Sequence, residues 1–387
     1  MSMTRNILGL HLQGRTYKEE AWLRRSMEEL RGYVQWIWLM NPSAALRESP
    51  FPNQKCGIRE FPVSGWDNLE RLMVSQGREG AHRWMDWVLP RYEPIQRWAE
   101  CLQGPNEVAV ETYDQRMQLN EFAMELYKLC MQHGIRLAFG GCLGVGWPGG
   151  ESEKENMDWI ECTKRDAVQL LPTYRSCDYV VSHHYGKRSN DPFSHWDEME
   201  GWTLRYRIVQ EALDSVSEDG SFDKPRLITE GGFDQCGDKN TSGWRGPNGP
   251  SRGEYVRQVM VACDEIAKDK NVECYLLFTA LSTGWPSFRI EQPDWEAFSV
   301  EVLKRDPYAE LPDDRPLPTD ELAVSDALVL STKTRWWCEE AKRKLVEGED
   351  AEYGMSIVDR LPDLARAAEI AVHTSLKRNT LPPDVSS

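Results

Sequence analysis

Pro225-Arg226-Leu227-Ile228-Thr229-Glu230-Gly231-Gly232-Phe233 and Glu100-Cys101-Leu102-Gln103-Gly104-Pro105-Asn106-Glu107 are the stretches on which the fold turns. Each is a short apolar run that reaches a glutamate. Each glutamate has a distinctive neighbour, Asn106 before Glu107 and the Gly231-Gly232 pair after Glu230. Runs of this length, bounded by turn residues, predict buried strands.

The same signal repeats along the chain. The pattern predicts strands over 6–13, 33–40, 55–60, 101–107, 135–145, 178–185, 226–230 and 272–281. It predicts helices over 17–31, 68–98, 114–133, 156–171, 201–216, 253–268 and 294–304, with the 68–98 stretch broken near Pro90 and Pro94. Strands that alternate with helices argue for parallel βαβ units. Eight such strands within roughly 300 residues match a (β/α)8 TIM barrel. The competing doubly wound sheet prefers a glycine-rich phosphate turn after an early strand. The run Gly140-Gly141-Cys142-Leu143-Gly144-Val145-Gly146 follows the fifth strand, lacks a P-loop lysine and does not open directly into a helix.

Composition narrows the partners. The chain has 387 residues and a net charge of −16, with no long basic stretch, so nucleic acid is not an expected partner. No segment reaches membrane-spanning length, and no membrane is expected. The first residues run straight into an apolar strand without a signal-peptide core, which suits a cytoplasmic protein, or one carried in a virion or exported without its own signal. The ten cysteines are scattered with no CxxC pair and no zinc-ligand spacing. No metal or organic cofactor is expected. Sixteen tryptophans are many, and flat indole faces suit both cores and sugar-binding clefts.

In a (β/α)8 barrel the C-terminal strand ends converge on one face, where the site is built. The expected strand ends carry His11 and Gln13, Trp38 and Asn41, Arg59 and Glu60, Asn106 and Glu107, His183, His184 and Tyr185, Glu230, and Ser282 and Trp285. Two carboxylates at such ends suit glycosidic bond cleavage, in which one gives a proton and the other attacks or activates water.

Residues 6 to about 305 resemble the clan A glycoside hydrolases, retaining (β/α)8 enzymes that include the family 5 cellulases and mannanases. The resemblance implies that Glu107, preceded by Asn106 on the fourth strand, is the acid/base. It implies that Glu230, in Thr229-Glu230-Gly231-Gly232 on the seventh, is the nucleophile. His183-His184-Tyr185 resembles the His-x-Tyr that follows the sixth strand, Trp285 the tryptophan that follows the eighth, and Arg59 the arginine that holds the nucleophile. Asn106 would bond the sugar 2-hydroxyl, and Tyr185 and Arg59 would steady Glu230. His183 rather than His184 is the expected site residue, Trp285 the floor of the subsite, and His11 a further sugar ligand. Trp147, Trp244 and Trp38 are further stacking candidates. Family 5 has Asn-Glu-Pro where this chain has Asn106-Glu107-Val108, so the clan is better matched than the family.

The expected domains are a barrel over 1–305, a Pro-rich acidic strap or linker over 306–325, a helical extension over 326–379 and a disordered tail over 380–387. Apolar residues in the extension, Trp336, Trp337, Leu361 and Leu364 among them, suit docking on the barrel or self-association. Three functions are compatible with these features: a retaining β-glycoside hydrolase with a carbohydrate substrate, a catalytically idle glycan-binding or structural barrel (a viral one included), and a metal-assisted hydrolase on the same scaffold. The loops at 41–54, 186–200 and 234–252 are long enough to shape a pocket or groove, the last as a mobile lid.

Overall fold

Eight short apolar runs become eight strands. They are β1 (Leu8–Gln13), β2 (Trp36–Met40), β3 (Lys55–Arg59), β4 (Cys101–Gln103), β5 (Leu137–Phe139), β6 (Tyr179–Gly186), β7 (Arg226–Phe233) and β8 (Val272–Ala280). In the computed structural model they form a closed parallel barrel in sequence order, with β8 pairing back to β1. The structure describes residues 5–13, 21–43, 46, 48–60, 66–108, 110, 112–140, 159–186, 203–235, 238–282 and 284–305.

The α-helices among the described residues are α1 (Ala21–Glu29), α2 (Trp66–Ser75), α3 (Gly77–Tyr92), α4 (Tyr113–Gln132), α5 (Trp159–Gln169), α6 (Leu171–Arg175), α7 (Arg205–Ser215), α8 (Arg252–Ile266) and α9 (Gln292–Val302). The chain divides into two compact units, 1–251 with 255–307, and 252–254 with 308–387. The strap, helical extension and tail expected beyond residue 305 lie outside the described residues, as do Trp147 and most of the 186–200 loop. No helix among the described residues is long and apolar enough to cross a membrane.

Local chemistry explains the element ends. Helix α4 starts at a capping box, in which Gln115 N donates to Thr112 Oγ1 at 3.2 Å and Thr112 N donates to Gln115 Oε1 at 3.0 Å. The helical stretch ends where expected, α3 stopping at Tyr92 between Pro90 and Pro94, and an additional break falls between Ser75 and Gly77; Pro90 sits inside the last turn of α3. A proline so close to a helix end removes a single ladder bond and can be absorbed there.

Alternation along the strands sorts side chains into layers. Trp36, Trp38, Cys101, Ala138, Tyr179, Val181, Leu227, Cys274 and Leu276 form a buried apolar cluster inside the barrel. Burial of each large apolar side chain contributes roughly 1.5–3 kcal/mol, and this plug fixes the strand ends above it. Two residues further along these strands the layer turns polar: Gln103 follows Cys101 and His183 follows Val181.

Strand β7 breaks the count, because Glu230 stands three residues after Leu227 and simple alternation would send it outward. The register shows how it returns. Ser182 pairs with Ile228 but His183 pairs with Glu230, and on the other side Ile228 pairs with Tyr275 but Gly231 with Leu277. β7 therefore carries one extra residue against both neighbours, a bulge that re-aims the glutamate into the barrel mouth.

Candidate active site

Bulge, glycines and a tyrosine together hold the β7 carboxylate. Gly232 has φ of +130°, open to glycine, and its N–H donates to Tyr275 Oη at 2.7 Å. The same hydroxyl donates to the His184 carbonyl at 3.3 Å, so it clamps β7 to β6. A Cβ on Gly231 would come within 2.4 Å of the Tyr275 ring. The glycine pair is thus a packing device beneath Glu230.

Glu230 is buried, its side chain 9% exposed, and both its oxygens are held. Arg59 Nη1, from the end of β3, donates to Oε1 at 2.6 Å. The Tyr185 hydroxyl, from β6, donates to Oε2 at 2.9 Å. Charge-assisted bonds of this kind are the stronger class. Burial first, and then the nearby Glu230 and Glu107 carboxylates, push the Tyr185 phenol well above its ordinary range, so it stays a neutral donor.

Glu107 sits differently. β4 ends at Gln103, earlier than expected, and Glu107 lies beyond it on a loop, with φ of +29°. A non-glycine residue in that region costs of order 1–3 kcal/mol, and such strain gathers at functional sites. The other non-glycine residues with positive φ among the described residues, Asn41 and Leu281, also stand just past strand ends, those of β2 and β8. The Glu107 side chain is 39% exposed, and its Oε1 lies 2.7 Å from His183 Nδ1. That same nitrogen is 3.6 Å from Glu230 Oε2, so His183 stands between the two carboxylates. Burial lowers the affinity of His183 for a proton, but Glu230, Glu107 and the hydrogen bond to Glu107 outweigh it, and its pKa is raised.

His11 flanks Glu230 on the other side. Its Nδ1 lies 3.0 Å from the Thr229 carbonyl and 4.0 Å from Glu230 Oε1. A carbonyl only accepts, so Nδ1 carries the hydrogen and Nε2 presents a lone pair. That Nε2 is buried with no partner among the described residues. Burial and the Arg59 charge hold the His11 pKa well below its ordinary value, and it stays neutral.

The mouth has an apolar wall as well. Tyr185, Phe278 and Phe288 form one buried cluster. The Trp285 ring stands edge-on to Phe278 and Phe288, at 5.4 and 5.6 Å between centroids, and is 38% exposed. A braced but open indole suits stacking. Two other tryptophan candidates prove to be packing residues. Trp38 is fully buried in the barrel interior, and Trp244 lies flat on Tyr255, 4.7 Å between centroids. Neither offers a free face. His184 points away from the carboxylates and packs on Tyr206.

The 234–252 loop, expected as a lid, is pinned over its described residues. Asp234 N donates to the Gly186 carbonyl at 2.9 Å and Arg245 N to the Ser287 carbonyl at 2.8 Å. Ser287 Oγ donates to the Lys239 carbonyl at 2.7 Å, and the Arg245 guanidinium bonds Asp294.

Sequence spacing gave no metal-ligand cluster, yet folding gathers one. Glu107, His183 and Glu230 each offer a donor atom, all within 4.8 Å of one another. Residues so far apart in the chain leave no linear spacing to read. The set suits a divalent cation poorly, because Arg59 already places a permanent positive charge 2.6 Å from Glu230 Oε1. Gln103, Glu70 and Tyr275 were not singled out by sequence at all. Gln103 is buried two residues above the apolar plug, and Glu70, buried on α2, accepts from Asn106 N at 3.1 Å.

No family model matches the chain, and no curated protein matches it. Similar solved structures exist. A beta-glucosidase from Exiguobacterium marinum is 12% identical, with 75% of this chain and 88% of that one covered and a TM-score of 0.43. A family 1 β-glucosidase from Thermotoga maritima is 10% identical, with 78% and 98% covered and a TM-score of 0.41. A family 51 α-L-arabinofuranosidase from Bifidobacterium longum is 11% identical, with 78% and 72% covered and a TM-score of 0.41. At this identity and overlap their activities are theirs alone and carry no weight for this chain.

Proposed function

We propose that the chain is a retaining glycoside hydrolase of the clan A type, cleaving β-glycosidic bonds of a poly- or oligosaccharide by double displacement. The observation that carries this reading is the meeting of two unlike carboxylates. Oxygens of Glu107 and Glu230 lie within 4.8 Å. So close an approach of two carboxylate oxygens is compatible with the roughly 5–5.5 Å carboxyl separation of direct attack.

Glu230 is the nucleophile. Its negative charge is steadied by Arg59 and Tyr185, and the bulge aims it at the mouth. Glu107 is the acid/base. It is half exposed, so a departing alcohol or an entering water can reach it, and it shares a hydrogen bond with a titratable imidazole. In the first step Glu230 bonds the anomeric carbon while Glu107 protonates the leaving oxygen and the glycosidic bond breaks. In the second, water attacks the same carbon, Glu107 takes its proton and Glu230 leaves. Trp285 stacks on the sugar.

The test is a panel of β-linked polysaccharides and aryl β-glycosides with the anomer of the first product followed by NMR. The expected result is net retention, loss of turnover in Glu230→Ala, and a covalent adduct on Glu230 after a C2-fluorinated glycoside with a good leaving group. Inversion, or turnover that survives in Glu230→Ala, would overturn the mechanism. Glycan binding without any turnover would favour the idle barrel.

A further inference from the structure

We infer that Trp38 and Gln103 form a one-way relay that fixes which end of the Asn106 amide faces the substrate, and so restricts the sugar to one that offers a hydrogen-bond acceptor at C2. This deepens the glycosidase reading and rests on it. The relay begins inside the barrel. Trp38 Nε1 donates to Gln103 Oε1 at 2.8 Å, and Gln103 Nε2 donates to Asn106 Oδ1 at 3.3 Å. Both Trp38 and Gln103 are buried, so the first bond is shielded from bulk water, and the second reaches out to the half-buried Asn106.

The direction follows from chemistry. An indole N–H can only donate, so the atom it meets must be the Gln103 carbonyl oxygen. The opposite end of that amide can then only donate, and the Asn106 atom it meets must be the oxygen. The Asn106 NH2 is left as the open end, with no partner among the described residues. The Asn106 backbone is held separately, its N–H donating to Glu70 Oε2. Backbone position and amide orientation are therefore set by different groups. A glutamine that could turn over freely would let Asn106 present either end. The fully buried Trp38 removes that freedom, because turning Gln103 would set its NH2 against the indole N–H.

A hydroxyl at C2 accepts from the Asn106 NH2, whereas an ammonium at C2 would meet it donor to donor. Trp38 and Gln103 touch no substrate and are positioning residues.

Gln103→Met keeps the volume and removes both bonds. In the ¹⁵N-labelled full chain, the Trp38 indole N–H resonance is expected to move upfield and exchange faster in Gln103→Met. An unmoved resonance overturns the relay, whatever the enzyme does to glycosides. The kinetic arm compares para-nitrophenyl β-glucoside with its C2-deoxygenated analogue. Gln103→Met should lower the ratio of their kcat/KM values by about three- to tenfold, the worth of one neutral hydrogen bond. A change of packing alone would slow both substrates alike and leave the ratio standing. A ratio within twofold of wild type, while Asn106→Ala collapses it, also overturns the proposal. If Gln103→Met does not fold, Trp38→Phe removes the donor at the head of the relay and must lower the same ratio. If wild type cleaves no β-glycoside, the glycosidase reading fails and the indole resonance still decides the relay.

Discussion

The β4 and β7 ends of the barrel carry the same side chain in opposite settings. Glu230 is buried, on a strand, with a guanidinium on one oxygen and a phenol on the other. Glu107 is half exposed, on a loop, with a left-handed backbone and an imidazole for company. A carboxylate with a fixed donor on each oxygen suits the attack proposed for it. One that faces solvent and a titratable ring is organised to pass protons. The difference in environment, rather than in residue type, separates the proposed roles.

The largest expected effects test that separation directly. Glu230→Ala should cost on the order of 10⁵-fold in kcat on every substrate. Glu107→Ala should cost roughly 10²–10⁴-fold with a sugar leaving group, and much less with a dinitrophenolate, which departs without a proton. Single-turnover kinetics on the two leaving groups check this. If both variants respond alike, the two ends are not different and the assignment of roles breaks. Next in size, Arg59→Met leaves the buried Glu230 carboxylate without its cation. Losing one partner of such a pair costs about 3–5 kcal/mol, read from urea unfolding. The double variant Arg59→Met, Glu230→Gln should recover much of that loss, and failure to recover would mean that Arg59 stabilises something other than Glu230.

The same contrast shows what the sequence could and could not tell. The eight strands and the barrel were legible, because short apolar runs and helical stretches alternate along the chain. Asn106-Glu107 was legible as a pair, but its backbone was not. The 101–107 run reads as strand, whereas Gly104-Pro105 ends β4 at Gln103 and leaves Glu107 on a loop. On β7 the run 226–230 reads as an ordinary strand, and parity alone would turn Glu230 outward. The bulge that corrects it depends on Tyr275, from another strand, bridging Gly232 and His184. From its chemistry alone Trp38 could be a stacking platform or, more commonly for a tryptophan, core. Its place two residues above Trp36 in the barrel interior settles it as core, and only the fold reveals Gln103 as its partner. Contacts between distant strands are invisible to any local pattern, and the site is made almost wholly of such contacts.

A smaller effect sharpens the β7 half alone. Tyr185→Phe deletes the donor to Glu230 Oε2 and leaves the ring in its cluster with Phe278 and Phe288. A hydrogen bond to a charged group is worth roughly 1.5–3 kcal/mol. The expected loss in kcat/KM is therefore about 10- to 100-fold, with a smaller loss of stability than in Arg59→Met, because Glu230 keeps its cation and the apolar contacts survive. An equal loss in Tyr185→Phe and Glu107→Ala on a dinitrophenyl substrate would count against placing Tyr185 with the nucleophile.

The finest test is a slope against pH rather than a loss, and it uses the two histidines that flank Glu230. For His183, burial opposes the proton but the Glu230 and Glu107 carboxylates prevail, and the folded pKa lies above the unfolded 6.5. The folded state then binds the proton more tightly than the unfolded chain does. This contribution to stability is fully present below about pH 6.5 and is lost as pH rises through the folded value. For His11, burial and Arg59 hold the folded pKa well below 6.5. As pH falls below 6.5 the unfolded chain takes up a proton that the folded state refuses, so stability falls on the acid side. Urea unfolding across this range should therefore give opposite slopes for the two variants relative to wild type. The advantage of wild type over His183→Gln should shrink as pH rises. His11→Gln should lose less stability than wild type as pH falls. Parallel curves for wild type and His183→Gln would mean that His183 does not feel both carboxylates, and that the β4 and β7 ends are not joined through it.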